Sequence, residues 1–301
     1  MQISSTNLVK NHIIPVQNPL KALPTELLEG IYLMLPNVKT KNAFSETCED
    51  YLKLANNVTF HYHAKPNIPA DQLEKTLKSF PHLNSLGFHH NLSNDILKNH
   101  TNLTNLNLSS NNNVTDEGIK NLTKLKKLDL HFNNKISNEG IKNLTNVTYL
   151  NLNSASHLSH LNPNKINDEG IKNLTKLTCL HLRENYSISN EAVKNLSGLT
   201  ELNLDVNYKI NDPVLKNLTK LTSLNLNNNF IITDNGIKNL TNLTDLSLFF
   251  NRLITDDGLE NLTNITQLNL SCNDLISKNG IKNLTNIVDL NLKCNTGIGK
   301  I

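Results

Sequence analysis

The chain has 301 residues, with 29 Lys and Arg against 26 Asp and Glu for a formal charge of +3, and it carries no basic block or stripe of the kind that tracks a phosphate backbone. Nucleic acid is therefore not an expected partner. Its four cysteines, Cys48, Cys179, Cys272 and Cys294, are far apart and form no C-x-x-C pair, which fits neither a disulfide scaffold nor a paired-cysteine zinc framework and points to a reducing compartment.

Residues 1–19 read as a disordered or extended segment. Lys10, Asn11 and His12 interrupt its few apolar residues, so no signal peptide is expected, and no stretch approaches the roughly 18 apolar residues of a membrane span. A cytoplasmic protein without membrane contact is the expectation. Residues 20–57 read as three short helices. Pro24 stands near a helix start, Leu27, Ile31 and Leu35 recur every four residues, Pro36 breaks the run, and Phe44 with Cys48 then Leu52 with Ala55 supply two further apolar faces. Residues 58–82 read as a degenerate first repeat or cap, with Val58 and Phe60 as a worn strand and DQLEKTLKSF standing where later units have DEGIKNL.

From residue 83 to 301 the frame L-x-x-L-x-L-x-x-N recurs, starting at Leu83, Leu103, Leu125, Val147, Leu177, Leu199, Leu221, Leu243, Ile265 and Ile287, with a 22-residue step throughout from Leu177. In LTSLNLNNN (221–229) the leucines alternate with polar residues as in a half-buried strand. The closing asparagines, among them Asn111, Asn133, Asn185, Asn207, Asn229, Asn251, Asn273 and Asn295, are expected to be buried amides that satisfy the backbone of a bend. The return segment ITDNGIKNL (232–240) places Ile232, Ile237 and Leu240 inward, offers Thr233 and Asp234 for capping a short helix, and in one repeat has Pro213 at the first helical turn. One such unit buries too few apolar groups to fold alone, so neighbours must stack. The Val147-to-Leu177 step is 30 residues, and its eight additional residues fall within about 153–165, where a loop must leave the rim. A functional loop and a tolerated insertion are equally open.

This frame resembles the leucine-rich-repeat family over about residues 55–295. The resemblance implies an α/β horseshoe solenoid with a concave parallel sheet and short convex helices. The block before it, L-P-x-E-L-L-x-x-I followed by a Leu-Pro break and C-x-x-Y-x-x-L, resembles an F-box, with Tyr51 where that family usually has Trp. The F-box resemblance implies that Leu23, Pro24, Glu26, Leu27, Leu28 and Ile31 dock a Skp1-like adaptor of a cullin ubiquitin ligase while the repeats hold a target protein for partner subunits to modify. The alternative is a plain interaction scaffold or effector whose N-terminal bundle only caps the solenoid. Asn- and Lys-heavy composition and near-identical repeats suit a protist, or an intracellular bacterium that delivers the chain into a host cytosol.

The strand positions that break the repeat are the expected partner contacts: His89, His131, Tyr149, Arg183, Glu201, Asp205, Phe249 and Phe250. Phe132 and Phe250 either join them or pack under a turn. Arg183, Glu184, Glu201 and Asp205 are expected to form one mixed-charge centre near Tyr186. His61, His89 and His131 share a strand position, yet Ser109 interrupts that row and no carboxylate or thiol joins it, so no metal and no cofactor is expected. There is no Gly-rich phosphate loop, H-E-x-x-H motif or nucleophile elbow, so a non-catalytic chain is expected. The last repeat lacks its return helix, an end expected to be truncated or covered by another surface.

Overall fold

The computed structural model describes residues 71, 73, 74, 77, 83–87, 92–154 and 165–298. The expected bundle at 20–57, its docking residues Leu23 to Ile31, and His89 lie outside the described residues.

Ten short strands form one parallel sheet in chain order: β1 (Ser85–Leu86), β2 (Asn105–Asn107), β3 (Lys127–Asp129), β4 (Tyr149–Asn151), β5 (Cys179–His181), β6 (Glu201–Asn203), β7 (Ser223–Asn225), β8 (Asp245–Ser247), β9 (Gln267–Asn269) and β10 (Asp289–Asn291). Between them lie nine helices among the described residues: α1 (Asn94–Lys98), α2 (Asp116–Ile119), α3 (Asn138–Ile141), α4 (Asp168–Ile171), α5 (Asn190–Val193), α6 (Asp212–Leu215), α7 (Asp234–Ile237), α8 (Asp256–Leu259) and α9 (Lys278–Ile281). Each strand centres on one leucine, and Leu202, Leu224 and Leu246 lie in register across adjacent strands. The leucines before and after it, such as Leu221 and Leu226, and the helix Ile237 join them in a single core running from Leu73 to Ile298. Asp71, Leu73, Glu74 and Leu77 are helical, and Leu73 and Leu77 are buried in that same core.

Stacking leaves the bends with backbone groups that no strand or helix can pair, and the asparagine row serves them. The Asn207 Nδ2 donates to the carbonyls of Leu182 and Asn185 in the preceding repeat, at 3.0 and 2.8 Å, and its Oδ1 accepts from the N–H groups of Lys209 and Ile210 at 2.9 and 3.1 Å. Asn133, Asn229 and Asn251 repeat that pattern. A fully buried amide so placed is worth more than its count of bonds, because each orphaned backbone group would otherwise bear its own desolvation cost.

A second row runs through the helices. Thr233 caps α7 by accepting from the N–H of Asn235, as expected, but Asp234 does not cap its own helix. Its carboxylate reaches the next repeat and accepts from Thr255 N–H at 2.8 Å and Thr255 Oγ at 2.7 Å. Asp116, Asp168, Asp212 and Asp256 do the same toward Ser137, Ser189, Thr233 and Ser277. This contact demands close approach: a Cβ on Gly236 would lie 2.5 Å from Asp212 Oδ1. The residue before each buried asparagine adopts a left-handed backbone, including Val206 (φ 52°), Asn228 (φ 49°) and Phe250 (φ 52°). Lateral bonds hold it there, with Val206 N–H donating to Asn227 O at 3.0 Å and Phe250 N–H to Ser271 O at 3.1 Å.

The long repeat keeps this plan. Tyr149, Leu150 and Asn151 pair with Cys179, Leu180 and His181, Ser154 N–H still donates to Arg183 O, and Ile166 re-enters the core. Residues 155–164, which hold the added length, lie outside the described residues.

Candidate binding surface

Residues flanking each central leucine point away from the core and line the sheet face. On most strands the residue after that leucine is not free, because its side chain accepts the backbone N–H two residues on: Asp129 from His131, Asn203 from Asp205, Asn225 from Asn227 and Asn269 from Ser271, at 2.9 to 3.0 Å. His181 and Ser247 depart from this pattern. There the preceding repeat supplies the acceptor, Asn153 Oδ1 taking Arg183 N–H and Asn227 Oδ1 taking Phe249 N–H, both at 2.8 Å. The His181 ring is thereby released from scaffold duty.

The expected mixed-charge centre resolves into two separate clusters. Arg183 binds Asp205 (Nε to Oδ2, 3.2 Å) and Glu184 (Nη2 to Oε1, 3.2 Å), and Asn228 Nδ2 adds a bond to Asp205 Oδ1 at 3.3 Å. Asp205 is not the outward contact expected of it: its carboxylate is buried among these partners, and burial raises its pKa above the usual carboxylate value, against the opposing pull of Asn228 and Arg183. Glu184 Oε2 is buried with no hydrogen-bond partner among the described residues. Arg183 remains half exposed above them.

Glu201 lies elsewhere. Its Oε1 stands 2.7 Å from His181 Nε2, which in turn is 3.4 Å from Cys179 Sγ, and Tyr149 sets its ring edge against the imidazole with centroids 5.4 Å apart. Burial, then Glu201, pushes the Cys179 thiol pKa up; burial, then Asp129, Cys179 and Glu201, pushes the Tyr149 phenol up to about 12. Donor atoms of Cys179, His181 and Glu201 all lie within 4.8 Å of one another. In the sequence the His61, His89 and His131 row is the more visible candidate, and this trio is not evident from spacing alone. Its signal was present in the register, since Glu201 stands 22 residues after Cys179, directly beside it, and His181 shares their face by the two-residue strand period. His131 is half-buried against the ring of Phe132, and burial lowers its pKa.

Exposed aromatic residues form a ridge on the turns at the buried asparagines. Tyr186, Tyr208 and Phe230 stack in series with centroids 6.0 and 6.2 Å apart. Phe250 meets Phe230 edge-on at 6.3 Å and Phe249 at 6.2 Å, while the Arg252 guanidinium sits 4.4 Å over the Phe250 ring. Tyr186, Tyr208, Phe230 and Phe249 are 36 to 42% exposed, so the core does not require them. Phe132 is exposed as well, whereas Phe250 is half-buried under Arg252 and its aromatic neighbours. Of this ridge, Phe249, Phe250 and the landmark Tyr186 are expected from the sequence, and Tyr208 and Phe230 are not.

A family model described as "Leucine Rich repeat" matches residues 99–123, 121–145, 217–240, 239–262 and 261–284. The chain carries leucine-rich repeats. Among solved structures, this leucine-rich-repeat solenoid is similar to an internalin (inlF) of Listeria monocytogenes, with 26% identity, a TM-score of 0.52, and 82% of each chain covered. It shares its fold with the TLR13 chain of a TLR13–ssRNA13 complex (24% identity, TM-score 0.52) and with the mouse RP105/MD-1 complex (21%, TM-score 0.53), covering 73% and 71% of this chain but only 33% and 39% of those. No curated protein matches the sequence.

Proposed function

We propose that this leucine-rich-repeat chain is a protein-interaction scaffold that takes its partner across the sheet face and the aromatic ridge of the β5–β8 repeats, without chemistry of its own. The exposed Tyr186–Tyr208–Phe230–Phe249 ridge carries the reading. Large aromatic side chains that the scaffold leaves in water, fixed in series on a rigid support, lose little entropy on contact and are the side chains that dominate protein interfaces. RP105 is solved with the protein MD-1 and TLR13 with an RNA. In this chain the carboxylates of Asp129, Glu201 and Asp245 on the sheet face oppose a polyanion, which favours a protein.

The test compares the wild-type chain with Tyr208→Ala/Phe230→Ala/Phe249→Ala as baits for proteins captured and then purified. Each anchor is worth about 2 kcal/mol, so a true partner should bind the triple variant at least ~100-fold more weakly, with an unchanged circular dichroism spectrum. Equal affinity for both baits rejects the ridge as the binding surface.

The adaptor reading stands on the F-box-like residues Leu23, Pro24, Glu26, Leu27, Leu28 and Ile31 alone. Purified Skp1 tests it: it requires a complex that Leu23→Ala/Pro24→Ala weakens, and the absence of any complex leaves the scaffold without a ubiquitin role.

A further inference from the structure

We propose that Cys179, His181 and Glu201 form a binding site for a divalent cation of the zinc class, open on the sheet face and independent of the aromatic ridge.

Three kinds of observation lead there. The donor set is thiol, imidazole and carboxylate, the combination that suits Zn²⁺ and leaves a fourth position for water or an incoming ligand. The geometry is close to what tetrahedral coordination needs. With Zn–S of about 2.3 Å and Zn–N of about 2.0 to 2.1 Å, a sulfur and a nitrogen on one ion stand roughly 3.5 Å apart, and Cys179 Sγ is 3.4 Å from His181 Nε2. The nitrogen-to-oxygen edge is roughly 3.4 Å for the same ion, against 2.7 Å between His181 Nε2 and Glu201 Oε1. Glu201 must therefore swing out by about 0.7 Å, and with its side chain 47% exposed it has room to do so. Both neighbours converge on the same ring nitrogen, so an ion placed among the three replaces those two contacts with three coordinate bonds.

The scaffold itself supplies the third argument. His181 occupies the strand position where Asn203, Asn225, Asn269 and Asn291 cap the following backbone, and Asn153 has taken over the cap that His181 cannot give. The imidazole is thus a departure that the fold accommodates without using. Cys179 and Glu201 are held side by side by the sheet register, and Tyr149 braces the imidazole from β4. On binding, the thiol S–H bond breaks and its proton leaves to water, the imidazole proton moves from Nε2 to Nδ1 through solvent, and the thiolate and Nε2 lone pairs join the metal; no redox partner is needed. The fourth position is left for water or a side chain of a bound protein.

Titration of the full chain with Co²⁺ as a spectroscopic stand-in tests the proposal. One equivalent should produce thiolate-to-cobalt charge-transfer absorption together with the intense visible bands of a four-coordinate ion, and Zn²⁺ should displace it. His181→Asn restores the residue that other repeats carry and should fold normally, yet abolish the signal; Cys179→Ser should remove the charge-transfer band. Glu201→Gln should weaken binding by about tenfold or more, and a Cys272→Ser/Cys294→Ser double variant should bind as wild type does. Absence of four-coordinate absorption in the wild type overturns the proposal. So does a signal that survives in His181→Asn, or one lost only in the Cys272/Cys294 double variant, which would place the metal at the far end of the solenoid.

Discussion

Replacing Asn207 with Ala removes four hydrogen bonds in two repeats and orphans three backbone groups, since Leu182 O still accepts from Asn185 N–H at 3.1 Å. Asn185 O and Ile210 N–H are buried in the bend, whereas Lys209 N–H lies beside an exposed side chain and can turn to water. At roughly 1 to 2 kcal/mol for each of the two groups that stay dry, the expected loss is about 2 to 4 kcal/mol. Asn225→Ala is the natural control. It removes an amide of the same chemistry from a half-buried sheet position, where one bond to Asn227 N–H at 2.9 Å is lost and water can replace it, so its cost is about 1 kcal/mol. Urea unfolding followed by circular dichroism measures both. Because two of the bonds of Asn207 cross into the preceding repeat, its variant should also lower the m-value or split the transition, as the repeats before and after it melt apart. If Asn207→Ala costs no more than Asn225→Ala, the buried ladder is not what couples the repeats.

Val206→Asn should stabilise the chain by about 1 kcal/mol, because Val at φ 52° bears left-handed strain that Asn tolerates, as Asn228 does at the same position of the next repeat; differential scanning calorimetry should show a Tm about 2 to 4 °C higher, and a fall would mean that Val206 packing outweighs the strain. Asp234→Ala should cost about 2 to 3 kcal/mol through its two short bonds to Thr255, read from chemical denaturation; no loss would make that helix row ornamental. Burial lowers the pKa of His100 below its ordinary 6.5, so its contribution to stability is full above that value and declines as pH falls through the native one; His100→Leu should flatten that acid-side decline in thermal melts. Asp205 has the opposite sign: its native pKa is raised, so its contribution is full below 3.8 and is lost as pH rises through the native value. Asp205→Asn should therefore gain on wild type between acid and neutral pH, and a constant difference would contradict the assignment.

The parts of this molecule legible in sequence are those that depend on one repeat alone. Leu221, Leu224 and Leu226 announce a strand by alternation, Asn229 announces a bend, and Thr233 announces a helix start, and each does that job. What escaped is what depends on a neighbour. Asp234 reads as a cap until the next Thr255 stands beside it. Asp205 reads as an outward side chain until Arg183 and Asn228 close over it. Val206 and Phe250 carry no glycine-like signal for a left-handed backbone, because lateral hydrogen bonds impose that conformation from outside. Cys179, His181 and Glu201 meet through sheet register and not through any local motif, and Tyr208 and Phe230 sit on turns, where alternation predicts nothing about apolar residues.

The ties between repeats recur at the same positions of each unit, as Asn207 with Asn185 and Asn229 with Asn207. Such a chain is a ruler with interchangeable segments. Gain or loss of one unit between β5 and β8 would slide the cation trio and Phe249 relative to each other by one strand spacing, about 4.8 Å, with no side chain in the core repacked. Distances between recognition elements can therefore change in fixed increments while their individual chemistry is preserved, so a new partner geometry is reached by changing the number of repeats before any contact residue is altered.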